Sequence, residues 1–406
     1  MTQAFTVTSP EELMALARKE SGIETVDYAA LEPLTVLVRS LNAESQLHEE
    51  GARGMQSRLV RILSNRLRMQ RDFAAHPEIA EQKVAAPLFI CGMARTGSTK
   101  TQKMLAASGD FNWLPYWQVI NPSLWTGDRS ESPQPRIDDT EAFVQWFDAG
   151  SPETKYGHAF DTHEPEEESF ILEHSLRTPT FLGWAPIGGY LEWLFTQDMT
   201  AHFVHLRDTL KYLQWQGLAD PAKRWVLKSP LYSGLELQLL DIFPDAKLVM
   251  THRHPALTTA SGLRLLECFY RPYTHIPIDV GNYVQGQMGV AAAHMQCRAV
   301  LPDGTFHDVL FESLVESPEE VARTIYAFCG MTLSDASLAR MKAWDAANPQ
   351  HRLGKHSYSL EQYGLSQAML DRGFGDYIAL LERLPEGGAM AIPVPLEPGD
   401  PNAQPV

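Results

Sequence analysis

The sequence predicts an α/β fold: a mostly parallel sheet with helices on both faces, a helical N-terminal segment and a helical insertion. Three observations predict it. Short apolar runs at 87–91, 225–228, 247–252 and 306–311 alternate with stretches of helical periodicity. The first run leads through a glycine-bounded loop, Gly92-Met93-Ala94-Arg95-Thr96-Gly97, into a helix start at Ser98-Thr99-Lys100-Thr101. Arg95, Lys228 and Arg253 lie at or just past strand ends, where ligands of such sheets sit.

Residues 1–85 read as a helical N-terminal segment. Ser9-Pro10-Glu11-Glu12 is a start signal: a capping Ser, a first-turn Pro, then acids. Leu59, Ile62, Leu63 and Leu67 recur at helical spacing, with Arg58, Arg61, Arg66, Arg68 and Arg71 around them. Such a basic helix predicts a solvated face laced with salt bridges; the competing reading is a binding surface.

Residues 86–384 read as the α/β domain. The loop at 92–97 has P-loop spacing, but Ser98 stands where Lys follows the second Gly. That Lys serves the outer phosphates of a nucleoside triphosphate, so the P-loop-like site is expected to hold a different phosphorylated ligand. The first amides of the helix have no intrahelical partner and its dipole favours an anion; Arg95 is the expected substitute cation. Residues 121–157 are rich in Pro, Asp and Ser and read as a connection. An aromatic helical insertion follows at about 140–220, with Phe170, Phe181, Trp184, Tyr190, Trp193, Phe195, Phe203, Tyr212 and Trp215. These are expected as core; the alternative is the lining of an apolar acceptor pocket. The run 225–228 meets a turn at Ser229-Pro230, and 247–252 ends at Arg253-His254-Pro255. The tail 385–406 is rich in Pro and Gly and is expected to be poorly ordered.

Across 406 residues, 44% hydrophobic and 21% charged content is that of a globular protein. A net charge of −16 argues against a nucleic-acid partner, though not against an anion in a locally basic pocket. No apolar run is long enough to span a bilayer and the first residues lack a basic leader, so a cytoplasmic enzyme is expected. Cys91, Cys268, Cys297 and Cys329 form no CxxC pair, and no metal site is expected. A homo-oligomer stays open.

Arg95-Thr96-Gly97-Ser98-Thr99 resembles the phosphosulfate loop of the sulfotransferases that use 3′-phosphoadenosine-5′-phosphosulfate (PAPS), and is similar to the bacterial branch that reads Arg-Thr-Gly-Thr-Thr. The family's second signature, an Arg at a strand end with a Ser eight residues on, resembles Arg253 and Ser261. The segment 225–230, Phe243-Pro244-Asp245-Ala246 and the stretch 355–364 are similar too, so the likeness covers roughly residues 10–380. The resemblance implies PAPS as cofactor and a hydroxylated small molecule or lipid as acceptor. It assigns the phosphosulfate to Arg95, Thr96, Gly97, Ser98, Thr99, Lys100 and Thr101, and the 3′-phosphate to Arg253 and Ser261. Lys355 and His356 are expected to close over the cofactor. Phe311 matches where the family stacks an aromatic near adenine, or is a buried strand residue.

Sulfuryl transfer needs in-line positioning and stabilisation of shifting charge, for which Arg95, Lys228 and the loop amides are the candidates. It also needs a base. Where relatives carry Glu or His, this chain has Gln118 and Tyr232, neither a good proton acceptor at neutral pH. His163 or His158 is therefore the expected base, with Asp161, Glu164 or Glu167 orienting it. The alternatives are a kinase or NTPase with a degenerate P-loop, disfavoured by Ser98, and a PAPS-fold binding protein without catalysis.

Overall fold

A computed structural model describes residues 4–349, 354 and 358–384. The N-terminal segment forms helices α1 (Pro10–Ser21), α2 (Tyr28–Glu44) and α3 (Glu49–Ala75). Ser9 caps α1 by accepting the Glu12 amide at 3.2 Å. The apolar runs become strands β1 (Leu88–Cys91), β2 (Val226–Lys228), β3 (Lys247–His252) and β4 (Phe306–Leu310). They form one parallel sheet in the order β2-β1-β3-β4. Phe311 opens the helix Phe311–Glu316 rather than closing the strand.

Both faces of the sheet are buried, and residues alternate between two cores, as the period of a strand requires. Leu88, Ile90, Val226, Val249 and Val309 face a core with Met104, Leu105 and Ile325. Phe89, Cys91, Leu227, Leu248 and Met250 face the other, which is continuous with Leu59 and Leu63 of α3 and with Phe147 and Trp184 of the insertion. The N-terminal helices therefore share a core with the sheet. The insertion aromatics pack on one another: Phe147 meets Phe160 and Trp184 edge-on, and Trp184 stacks on Phe269. Phe195 is the exception, 71% exposed.

The basic face of α3 is not solvated. Arg58 is 1% exposed and holds both oxygens of Glu173 at 2.8 and 2.7 Å, with its guanidinium 4.0 Å over Trp184. Arg66 pairs with Asp27 at 2.6 Å. A long helix running between other helices turns most of its faces inward, so its cations need buried partners. Those partners come from elsewhere in the chain, which is why helical spacing alone suggested a surface.

Candidate active site

The loop from β1 to the helix Ser98–Ala107 turns through left-handed backbone at Gly92 (φ 133°), Arg95 (φ 73°) and Gly97 (φ 93°). A side chain at Gly92 would strike Thr251 Oγ1, and one at Gly97 would come within 2.8 Å of Leu314 and 3.1 Å of Phe311. The glycines thus let the loop sit close under its neighbours. Arg95 is the non-glycine member of the turn; its strained φ is fixed by the contacts its side chain makes. Its Nε donates to Ser261 Oγ at 3.0 Å and a terminal nitrogen donates to the Gly157 carbonyl at 2.8 Å.

The loop hydroxyls divide by role. Thr96 is buried, donating to the Met93 carbonyl at 2.7 Å and lying 2.7 Å from Thr251 Oγ1. Thr101 bonds back to the Gly97 carbonyl at 3.3 Å, and Lys100 turns aside to Asp345 at 2.7 Å. Ser98 and Thr99 sit at the first helical positions, beside the amides that lack intrahelical acceptors.

Arg253 lies just past β3. Its guanidinium rests 4.0 Å over the Phe311 ring and one nitrogen reaches the Arg95 carbonyl at 3.5 Å. Among the described residues its buried Nε has no hydrogen-bond partner. Ser261, expected beside Arg253, accepts from Arg95, whose carbonyl Arg253 reaches. The two arginines therefore share one neighbourhood.

Lys228, at the end of β2, is 2% exposed and donates to Glu167 Oε1 at 2.7 Å. Its backbone N–H donates to Glu168 Oε2 at 2.6 Å, and the Tyr232 hydroxyl donates to the same oxygen at 2.9 Å. Burial pushes the Glu168 carboxyl up to about 8, against the pull of Tyr232 and the backbone donors. Tyr232 is itself fully buried, which raises its pKa. It props the end of β2.

His158 and His163 part company. The side chain of His158 is 9% exposed; its Nε2 lies 3.1 Å from Glu166 Oε2 and its Nδ1 3.9 Å from Glu167 Oε1. Burial pushes the Glu166 carboxyl up, but His158, Lys228 and Lys103 outweigh it and hold it down at about 2. With Nε2 donating to Glu166, a neutral ring keeps its lone pair on Nδ1. His163 is 63% exposed and 3.8 Å from Glu141. Its neighbour Asp161 accepts its backbone amide at 2.9 Å and does not orient the ring. Gln118 is 5% exposed with an unpartnered Oε1.

His158, Glu166 and Glu167 bring ligand atoms within 4.8 Å of one another. Lys228 already neutralises Glu167, so this donor set suits proton handling better than a divalent cation. Glu166 and Glu168 were not singled out by the sequence. They sit in a run of acids at 164–168, and nothing local distinguishes one from the next. Lys355 and His356 lie outside the described residues.

A model of the sulfotransferase family matches residues 87–335. The chain is similar to the omega-hydroxy-beta-dihydromenaquinone-9 sulfotransferase Stf3 of Mycobacterium bovis and of Mycobacterium tuberculosis. Each is 22% identical over 322 residues, 74% of this chain and 76% of the relative. Among solved structures, sulfotransferase STF9 from Mycobacterium avium superposes with a TM-score of 0.80 at 24% identity, covering 92% of this chain and 97% of that one. Sulfotransferase STF1 from M. tuberculosis gives 0.74 at 27% identity, covering 91% and 99%.

Proposed function

The chain belongs to the sulfotransferase family, and on that premise we propose that it moves a sulfuryl group from PAPS to the hydroxyl of a lipid-like acceptor. The observation that carries this is the junction at Arg95. It joins the anion loop, Ser261 and the carbonyl preceding His158, with Arg253 alongside. The donor set suits a ligand with two anionic ends. The loop amides, Ser98, Thr99 and Arg95 would hold one, and Arg253, with its orphaned Nε and its Phe311 platform, the other. PAPS supplies an activated sulfuryl group on a phosphate leaving group. Arg95 and Lys228 stabilise charge as it shifts. His158 takes the acceptor's proton at Nδ1, and Glu166 and Glu167 stabilise the imidazolium. The named acceptor of Stf3, a hydroxylated dihydromenaquinone, supports a hydroxylated lipid here.

The kinase reading is weaker on this fold as well. Besides Ser98, none of the four described strands ends in an acid to hold Mg²⁺. The test is incubation with PAPS and a panel of hydroxylated isoprenoid quinols, sterols and phenols, read by mass spectrometry. A gain of one SO₃ unit on an acceptor is expected. Phosphoryl transfer from Mg-ATP, with no sulfuryl transfer to any panel member, overturns the proposal.

A further inference from the structure

The strand end that carries Arg253 is held from behind by side chains outside the site described above. His252, the preceding residue, is completely buried at the end of β3. Its Nε2 lies 2.8 Å from Asp308 Oδ1 on β4. Asp308 also takes both terminal nitrogens of Arg298, at 2.6 and 2.8 Å. Burial raises the Asp308 carboxyl, but His252 and Arg298 outweigh it and keep it ionised, well below the usual carboxylate range. An ionised acceptor fixes the proton of His252 on Nε2, so Nδ1 is an acceptor. Nδ1 faces the Tyr377 hydroxyl at 2.9 Å. Tyr377 donates there. The chain of donors is directional: Tyr377 O–H to His252, His252 N–H to Asp308.

Tyr377 lies on the helix Gly375–Leu381, far along the sequence from β3. It is 2% exposed, in a small core with Leu370, Phe374, Leu380 and Met93. Met93 belongs to the anion loop. The C-terminal helices therefore press on the loop and, through the Tyr377 hydroxyl, hold the His252 side chain next to Arg253. Among the described residues the Arg253 side chain has a ring and a carbonyl to steady it, so its aim depends on how the neighbouring His252 fixes the strand end.

We infer that Tyr377 is a positioning residue for Arg253, setting the guanidinium to receive the phosphate of an adenosine bisphosphate through the chain Tyr377–His252–Asp308–Arg298. This rests on the donor reading above. The test is Tyr377→Phe in the full chain, which keeps the ring and its packing and removes only the hydroxyl. Binding of adenosine 3′,5′-bisphosphate is measured by calorimetry, and kcat and donor KM by initial rates. The dissociation constant and donor KM are expected to rise about three- to tenfold with kcat unchanged, the scale of one lost hydrogen bond. Tyr326→Phe is the control: it removes a buried hydroxyl bond to Asp110 at 2.7 Å in a different core and is expected to lower the melting temperature without moving the dissociation constant. An unchanged constant in Tyr377→Phe, or equal shifts in both variants, overturns the role of Tyr377. A wild-type chain that does not bind the bisphosphate overturns the donor reading, and this role with it.

Discussion

The segment 157–168 and the end of β3 both touch Arg95, and they treat charge differently. In the first, the protein supplies partners: His158 to Glu166 and Lys228 to Glu167. In the second, among the described residues, Arg253 has an aromatic ring, a carbonyl and a buried Nε with nothing to donate to. A self-neutralised cluster keeps its geometry without a ligand and suits proton transfer. A cation left without an anion gains most when an anion arrives. The same division recurs within the first region. Glu166 and Glu168 are both buried, yet one is held down at about 2 and the other pushed up to about 8. The difference is the partner: Glu166 faces a histidine and lysines, whereas Glu168 is bonded by a tyrosine and a backbone amide.

The largest effect expected from this comparison is on turnover. His158→Asn is expected to lower kcat by about 10²- to 10⁴-fold, the usual cost of losing a general base, with donor KM little changed. His163→Asn is expected to leave kcat near normal, because that ring is exposed beside Glu141. If His158→Asn keeps its rate, the proton goes elsewhere, with Glu167 the neighbour to replace next.

A smaller effect falls on binding. Arg253→Ala is expected to weaken binding of the 3′,5′-bisphosphate by about 1.5–3 kcal/mol, the worth of a hydrogen bond to a charged group. Calorimetry checks it, and an unchanged dissociation constant would place the free cation outside the donor site.

The smallest effect is on stability and its pH dependence. The carboxyl of Glu168 titrates near 8 when folded and near ~4.3 when unfolded. The folded protein therefore keeps a proton that the unfolded chain has released. The stability this gives is complete below about pH 4 and is lost as the pH rises through about 8. Glu168→Gln mimics the protonated acid and still accepts from Tyr232 and Lys228. It is expected to flatten this slope and to melt a few degrees above wild type at pH 8, with a smaller gap at pH 5. A gap that does not change between pH 5 and pH 8 would mean that Glu168 is ionised throughout.

The sequence by itself determined the strands, the loop and the family. The alternation of Leu88, Phe89, Ile90 and Cys91 between two cores, the glycines at 92 and 97, and Ser98 in place of a P-loop Lys are all local features. Strand period, positive φ and helix-start chemistry depend on residues a few positions apart, so they can be read from order alone. The tertiary structure decided the partners. It gave Arg58 to Glu173, 115 residues away, Ser261 to Arg95, and His158 rather than His163 to the acidic run. It also sorted two glutamates of one acidic run, holding the Glu166 carboxyl down and pushing the Glu168 carboxyl up. These outcomes depend on what the packed chain brings within about 3 Å of each carboxylate, and on how much water it removes, neither of which residue order encodes locally.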